Sequence, residues 1–173
     1  MPRLITIATL VLASSSLAAG VAAAGPIPTS VDDHRATVGF DVGVAASSGD
    51  TPSLAVAAQA GARLSPRVAV VARLSLVQLG DTILSFLGPT LQSWVTDRVL
   101  VAGGLGLTID GPYDTVDGSS TLSIGDGPAV SARAGVAVLA RPSGALMVSI
   151  EGLALLAGDG ETLVAAAQLG WQY

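Results

Sequence analysis

The last thirteen residues, Glu161 to Tyr173, alternate between apolar and small or polar side chains up to an aromatic terminal residue. Leu163, Ala165, Ala167, Leu169, Trp171 and Tyr173 share one face of an extended strand, and Thr162, Gln168, Gly170 and Gln172 occupy the other. A period of two marks a strand lying between two different environments.

Composition narrows what those environments are. Half of the chain is hydrophobic and only 12% is charged, well below the ~25% of an ordinary soluble domain. So few charges cover a water-facing surface poorly. At the other end, residues 1–24 read as a cleavable export signal: Arg3 near the start, an uncharged run from Leu4 to Leu17, and small residues ending Val21-Ala22-Ala23-Ala24. After it, no stretch gives eighteen consecutive strongly apolar residues, and the longest candidate is interrupted at Gly88-Pro89. A helical membrane protein is therefore disfavoured. The other structure that satisfies every backbone group in lipid is a closed barrel. The chain has no cysteine, which excludes disulfides, a lipoprotein anchor and thiolate metal sites.

Residues 25–35 show no periodicity and are expected to form a short periplasmic lead, with the barrel over 36–173. Eight segments of barrel-strand length follow, at about 36–47, 53–64, 67–79, 82–95, 98–109, 128–140, 144–156 and 161–173. The fourth contains Pro89, where a bulge or distortion is expected because proline cannot donate to a ladder. Tight turns at 64–67, 96–97 and 141–143 alternate with connections at 47–52, 80–81, 110–127 and 157–160. With both ends periplasmic, the tight turns fall on the periplasmic side and the other connections, which include the only long loop, face outward, as in outer-membrane barrels. Asp50, Asp81, Asp110, Asp114, Asp117, Asp126, Asp159 and Glu161 then map to the outer rim without a single arginine. Arg35, Arg63, Arg67, Arg98 and Arg141 map to the periplasmic rim, together with Asp32, Asp33 and Asp97. Trp94, Trp171 and Tyr173 are expected at the periplasmic interface, in a chain with only 3% aromatics.

Four charges remain within strands: Asp41, Arg73, Arg133 and Glu151. All lie on the small and polar face, opposite runs such as Val38, Phe40, Val42 and Val44, or Val130, Ala132, Ala134, Val136 and Val138. Facing lipid, each would cost a few kcal/mol. Facing inward, two arginines can pair with two carboxylates, so the pattern predicts a polar, side-chain-filled interior with these four as an ion cluster. A soluble lipocalin-like barrel holding an apolar ligand is the inside-out alternative. A narrow pore is a third reading, if the interior charges leave the lumen open.

The whole mature segment resembles the small eight-stranded outer-membrane β-barrels of Gram-negative bacteria. The likeness rests on the signal, the strand rhythm, turn segments such as Trp94-Val-Thr-Asp-Arg98, and the ending Gly170-Trp-Gln-Tyr173. In that family the barrel-assembly machinery reads a terminal aromatic, usually Phe, preceded by apolar residues at alternate positions. The resemblance implies that role for Leu169, Trp171 and Tyr173 here, with Tyr in place of Phe. It implies insertion among outer-membrane lipids and not an activity, since members range from anchors to adhesins and lipid-modifying enzymes; the barrel is expected to be a monomer.

Signs of chemistry are sparse, and no enzyme or cofactor is expected. His34 is the only histidine and precedes the first strand. There is no G-x-S-x-G elbow and no His-Glu-x-x-His metal motif. Gly103-Gly104-Leu105-Gly106 lies within a strand and lacks the third glycine of a dinucleotide fingerprint. Asp41 and Glu151 read better as members of an ion network than as paired catalytic carboxylates. Recognition, where it exists, belongs to the long loop with Asp110, Tyr113, Asp114, Asp117 and Asp126, whose spacing does not match a calcium loop. The chain has no lysine, and seven arginines against thirteen acids remain once Arg3 is removed, so nucleic-acid binding is disfavoured.

Overall fold

In the computed structural model of the chain, residues 36–47, 51–79, 82–112, 123–141, 144–157 and 160–173 are described. The expected signal and lead, with Tyr113, Asp114 and Asp117, lie outside them. Eight strands form: β1 (Ala36–Ser47), β2 (Ser53–Ser65), β3 (Val68–Leu79), β4 (Thr82–Trp94), β5 (Val99–Pro112), β6 (Ser123–Arg141), β7 (Gly144–Ala157) and β8 (Gly160–Gln172). Each pairs antiparallel with the next, and β1 pairs with β8 to close the ring. Closure removes the two free edges that an open sheet would present to its surroundings. The shortest strands have 12 residues, enough to cross a bilayer at the tilt such barrels adopt.

One local expectation changes, and another, at Pro89, is met as a local distortion and not as a bulge. The β5–β6 hairpin extends to Pro112 and Ser123, so much of the expected long loop is strand. The register shifts between Leu107 and Ile109, with Leu107 opposite Pro128 and Ile109 opposite Ile124, so the chain bulges across 125–127 and resumes pairing. Glycines and a proline that look like a strand end in sequence are thus absorbed by a bulge. Pro89 brings no bulge. β3–β4 pairing runs unbroken through Ala72 opposite Pro89. On the β5 side, pairing stops after Leu87–Leu107 and resumes at Thr90–Gly104. Proline removes one N–H, and here the ladder opens locally toward β5 without changing register.

The faces separate by parity. Val38, Phe40, Val42, Val44, Val70, Leu87, Leu91, Leu105, Leu107, Val148 and Leu169 all point outward and are exposed. Asp41, Arg73, Arg133 and Glu151 are buried inside. The apolar face is therefore outside, which rules out the soluble barrel with an apolar ligand cavity. Val138 departs from the predicted apolar face, because a bulge between Ala137 and Leu139 hands the outward position to Leu139.

The interior is layered rather than uniformly polar. At the end that bears connections 48–52, 80–81, 113–122 and 158–159, here the loop end, Val77, Phe86, Leu153, Leu155 and Val164 pack with four alanines. At the opposite, turn end, Trp94, Leu100, Ala137, Ala145 and Met147 form a second apolar cluster. The charged layer lies between them. Trp94 is thus a lumen residue and not part of an interfacial girdle; its exposure is 8%. Trp171 does face outward. The turn end also carries an exposed Arg67–Asp97 pair at 3.5 Å, worth at most about 1 kcal/mol.

Such a narrow ring brings neighbouring backbones together on its concave side. At the inward positions Gly43 and Gly61, a Cβ would run into the carbonyl oxygens of Ala167 and Val70 respectively. At outward Gly152 the nearest atom to a Cβ would be 4.0 Å away. Gly61→Ala is therefore expected to destabilise the barrel by roughly 1–3 kcal/mol, while Gly152→Ala leaves it unchanged, as read by urea unfolding followed through tryptophan fluorescence.

Candidate functional site

The centre of the lumen is built from side chains that alternation sends inward. β1 contributes Asp41, β2 Gln59, β3 Arg73 and Ser75, β4 Gln92, β6 Arg133, β7 Glu151, and β8 Gln168 and Gln172; all are buried. β5 contributes no member. Its inward positions between Leu100 and Thr108 are Ala102, Gly104 and Gly106.

Arg73 is the hub. Its Nε and Nη2 donate to Oε1 and Oε2 of Glu151, both at 2.8 Å, a two-pronged guanidinium–carboxylate pair. Its Nη1 donates to Asp41 Oδ2 and to Gln59 Oε1, each at 2.9 Å. A longer bond of 3.2 Å runs from Nη2 to Gln168 Oε1. Arg133 Nη2 donates to the other oxygen of Asp41 at 2.6 Å. Ser75 Oγ and Gln168 Nε2 donate to Glu151. A chain of amides then leads toward the turn end, from Gln172 Nε2 to Gln92 Oε1 and from Gln92 Nε2 to Gln59 Oε1, both at 2.7 Å.

The direction of these pairs matters more than their number. Arg133 sits opposite Glu151 in the β6–β7 ladder, yet it bonds Asp41 on β1. Arg73 on β3 reaches Glu151 on β7, four strands away in a ring of eight and hence diametrically across. Two of the three ion pairs therefore reach across the lumen instead of decorating its wall, at mid-height. Two guanidinium groups balance two carboxylates, so the layer carries no formal net charge. Among the described residues, Thr90 Oγ1, Arg133 Nε, Ser149 Oγ and Gln172 Oε1 are buried without a protein partner; such atoms are ordinary positions for internal water.

Gln59 and Gln92 leave little mark in the sequence, since an amide carries no charge to reveal it. The available signal was a lone glutamine within Ala55-Val-Ala-Ala-Gln-Ala-Gly61. The terminal strand forms the closing seam. Tyr173 N donates to Val38 O at 2.8 Å, Val38 N donates back to Tyr173 O, and Thr37 Oγ1 donates to Tyr173 O at 2.7 Å. Leu169 and Trp171 point outward from β8. In the expected recognition loop, Asp110 and Asp126 lie in β5 and β6, but their side chains are outside the described set.

Removing one partner of a buried pair strands a charge, whereas removing both does not. Arg73→Met and Glu151→Met are each expected to cost about 3–5 kcal/mol, and the double variant clearly less than their sum. Equal and additive losses in urea unfolding of the singles and the double would contradict the pairing.

No protein-family model matches the chain, and no curated protein matches it by sequence. Similarity appears in structure. Neisserial surface protein A superposes with a TM-score of 0.63 at 13% identity, covering 79% of this chain and 94% of that one. The attachment invasion locus protein Ail of Yersinia pestis, crystallised with the heparin analogue sucrose octasulfate, gives 0.51 at 12% identity over 80% of this chain and 96% of its own. The backbone structure of the same outer-membrane protein in a phospholipid bilayer nanodisc gives 0.50 at 12% identity, covering 79% and 99%. With its apolar wall outside, its polar layer inside and its ring closed, the chain has the fold of the eight-stranded transmembrane β-barrels of bacterial outer membranes.

Proposed function

We propose that this chain is exported by the signal at residues 1–24, keeps 25–35 as a periplasmic lead, and resides in the outer membrane as a monomeric, non-enzymatic barrel. Its role is structural or one of surface contact, carried by the acidic outer connections. The observation that supports a non-conducting, non-catalytic lumen is the lumen-crossing layer of Arg73, Glu151, Asp41 and Arg133. Each carboxylate is held by an arginine, so neither is free to serve as a general acid or base.

Charge sign narrows the surface role. Ail is described with a heparin analogue, a polyanion. In this chain the outer connections carry aspartates and no arginine or lysine, so a polyanion would be repelled there and a cationic or neutral surface is the better fit. The terminal strand supports assembly in the same reading: outward Leu169 and Trp171, followed by Tyr173, present the alternation that barrel-assembly machinery reads.

Protein recovered from an outer-membrane fraction is expected to migrate faster unboiled than boiled, and to give no conductance above a bare planar bilayer. A soluble protein whose mobility does not depend on heating would end the membrane reading; discrete conductance steps would replace the filled lumen with a pore. Tyr173→Ala keeps the backbone bonds to Val38, so it is expected to lower the outer-membrane level several-fold in cells while refolding in detergent stays normal. Equal loss in both settings would make Tyr173 a structural residue only.

A further inference from the structure

The outward wall is not uniformly convex. Between β3 and β6 it carries a groove of about 460 Å³. Two rows of outward residues, each running straight across the ladders, frame it: Val70, Leu91 and Gly103 on one side, Pro89, Leu105 and Val130 on the other. Gly103 makes the depression. A Cβ there would meet a single atom, the Ser131 carbonyl oxygen, at an ordinary contact distance of 3.9 Å. Leu91 and Leu105, 54% and 69% exposed, raise the rims. The interrupted β4–β5 ladder at Gly88 and Pro89 lies directly beneath.

We propose that this groove seats one acyl chain of a membrane lipid. The proposal rests on the transmembrane reading, which leaves acyl chains as the medium against this wall. The shape suits that occupant. Four strands at about 4.8 Å spacing give a slot on the order of 14 Å long, narrow and lined almost wholly by carbon. A flexible chain can follow such a slot across the strands. A second copy would bring a convex wall of its own to the groove, and contact confined to this slot falls short of the ~1,000 Å² that a stable protein interface needs. Filling the depression at Gly103 removes the seat, and trimming Leu105 removes its rim.

The test uses the full mature barrel in phosphatidylcholine vesicles doped with a phosphatidylcholine that carries a photoreactive diazirine in mid-chain. Cross-linked peptides are mapped by mass spectrometry. Insertion at the β4–β5 peptide around Leu91 and Leu105 is expected to exceed that at the equally outward Val42 and Val44 of β1 by at least about threefold. Gly103→Leu and, separately, Leu105→Ala are expected to abolish the excess. Gly152→Leu is expected to keep it, because that outward glycine is flanked across its ladders by Ala132 and Ala165 and not by leucines. Faster migration of the unboiled form shows that each variant is folded.

Uniform labelling around the wall overturns the acyl seat while leaving the membrane reading intact. Weak labelling of β4–β5 together with disulfide-linked dimers of Gly103→Cys, whose thiol is the only one in the chain, shows that a second copy fills the groove and overturns it as well. Absence of labelling anywhere on the barrel removes the membrane reading and the groove's occupant together.

Discussion

A guanidinium group buried far from water must find partners for its donors or lose several kcal/mol, and Arg73 meets that demand by reaching across the barrel. Its fork engages Glu151 on the far wall and Asp41 and Gln59 on the near one. Because the acceptors sit on β1, β2, β7 and β8, the strands must hold the ring at one diameter for the bonds to form. Closing the ring cuts these groups off from bulk water, and that burial makes the pairing obligatory. Ring and ion layer therefore depend on each other. A pair of this kind adds little to net stability compared with a well-packed apolar core; its effect is to disfavour every arrangement in which one charge is left alone.

Apolar clusters above and below explain how such a layer is tolerated. Phe86, Leu153 and Leu155 seal the loop end, and Trp94, Leu100 and Met147 pack the turn end. Between them the pairs are shielded from water and salt that would weaken them. The same clusters qualify the simple picture of a transmembrane barrel as apolar outside and polar inside. The charges are confined to the middle of this lumen, while its ends add apolar packing to a few buried hydroxyls and amides.

Much of this was legible from residue order because alternation leaves a strand residue only two directions. Val38, Phe40, Val42 and Val44 on one parity force Asp41 to the other, and the same reasoning places Arg73, Arg133 and Glu151. Strand count and closure follow from the same rhythm together with the scarcity of charge. What alternation misses has identifiable physical causes. Bulges reset parity, which is why Val138 gives way to Leu139 and why 125–127 reads as loop. Trp94 stands at the last position of β4, where aromatic character suggests an interface but parity with Gln92 and Thr90 turns the ring inward. Gln59 and Gln92 carry no charge, so nothing in composition separates a network amide from a solvated one. Partner choice is also invisible: the ladder places Arg133 beside Glu151, and only the three-dimensional ring shows that Asp41 takes it instead.

β5 joins the inside of the barrel to its outside. Gly103 and Gly104 are consecutive, so they leave the wall without a side chain on either face at the same height. Inside, the hydroxyls of Thr90 and Ser131 crowd the place where a Cβ on Gly104 would stand. Those neighbours occupy the missing volume, and β5 has no need to supply a member of the polar network. Outside, no protein atom fills the equivalent place at Gly103, and Leu91 and Leu105 stand beside a depression. Pro89 compounds the thinness by leaving the adjacent β4–β5 ladder open for two residues. In water such a spot would hydrate. Against hydrocarbon an unfilled depression forfeits dispersion contacts along its whole lining, so filling it with a chain of the surrounding medium stabilises the thinnest part of the wall without any further protein.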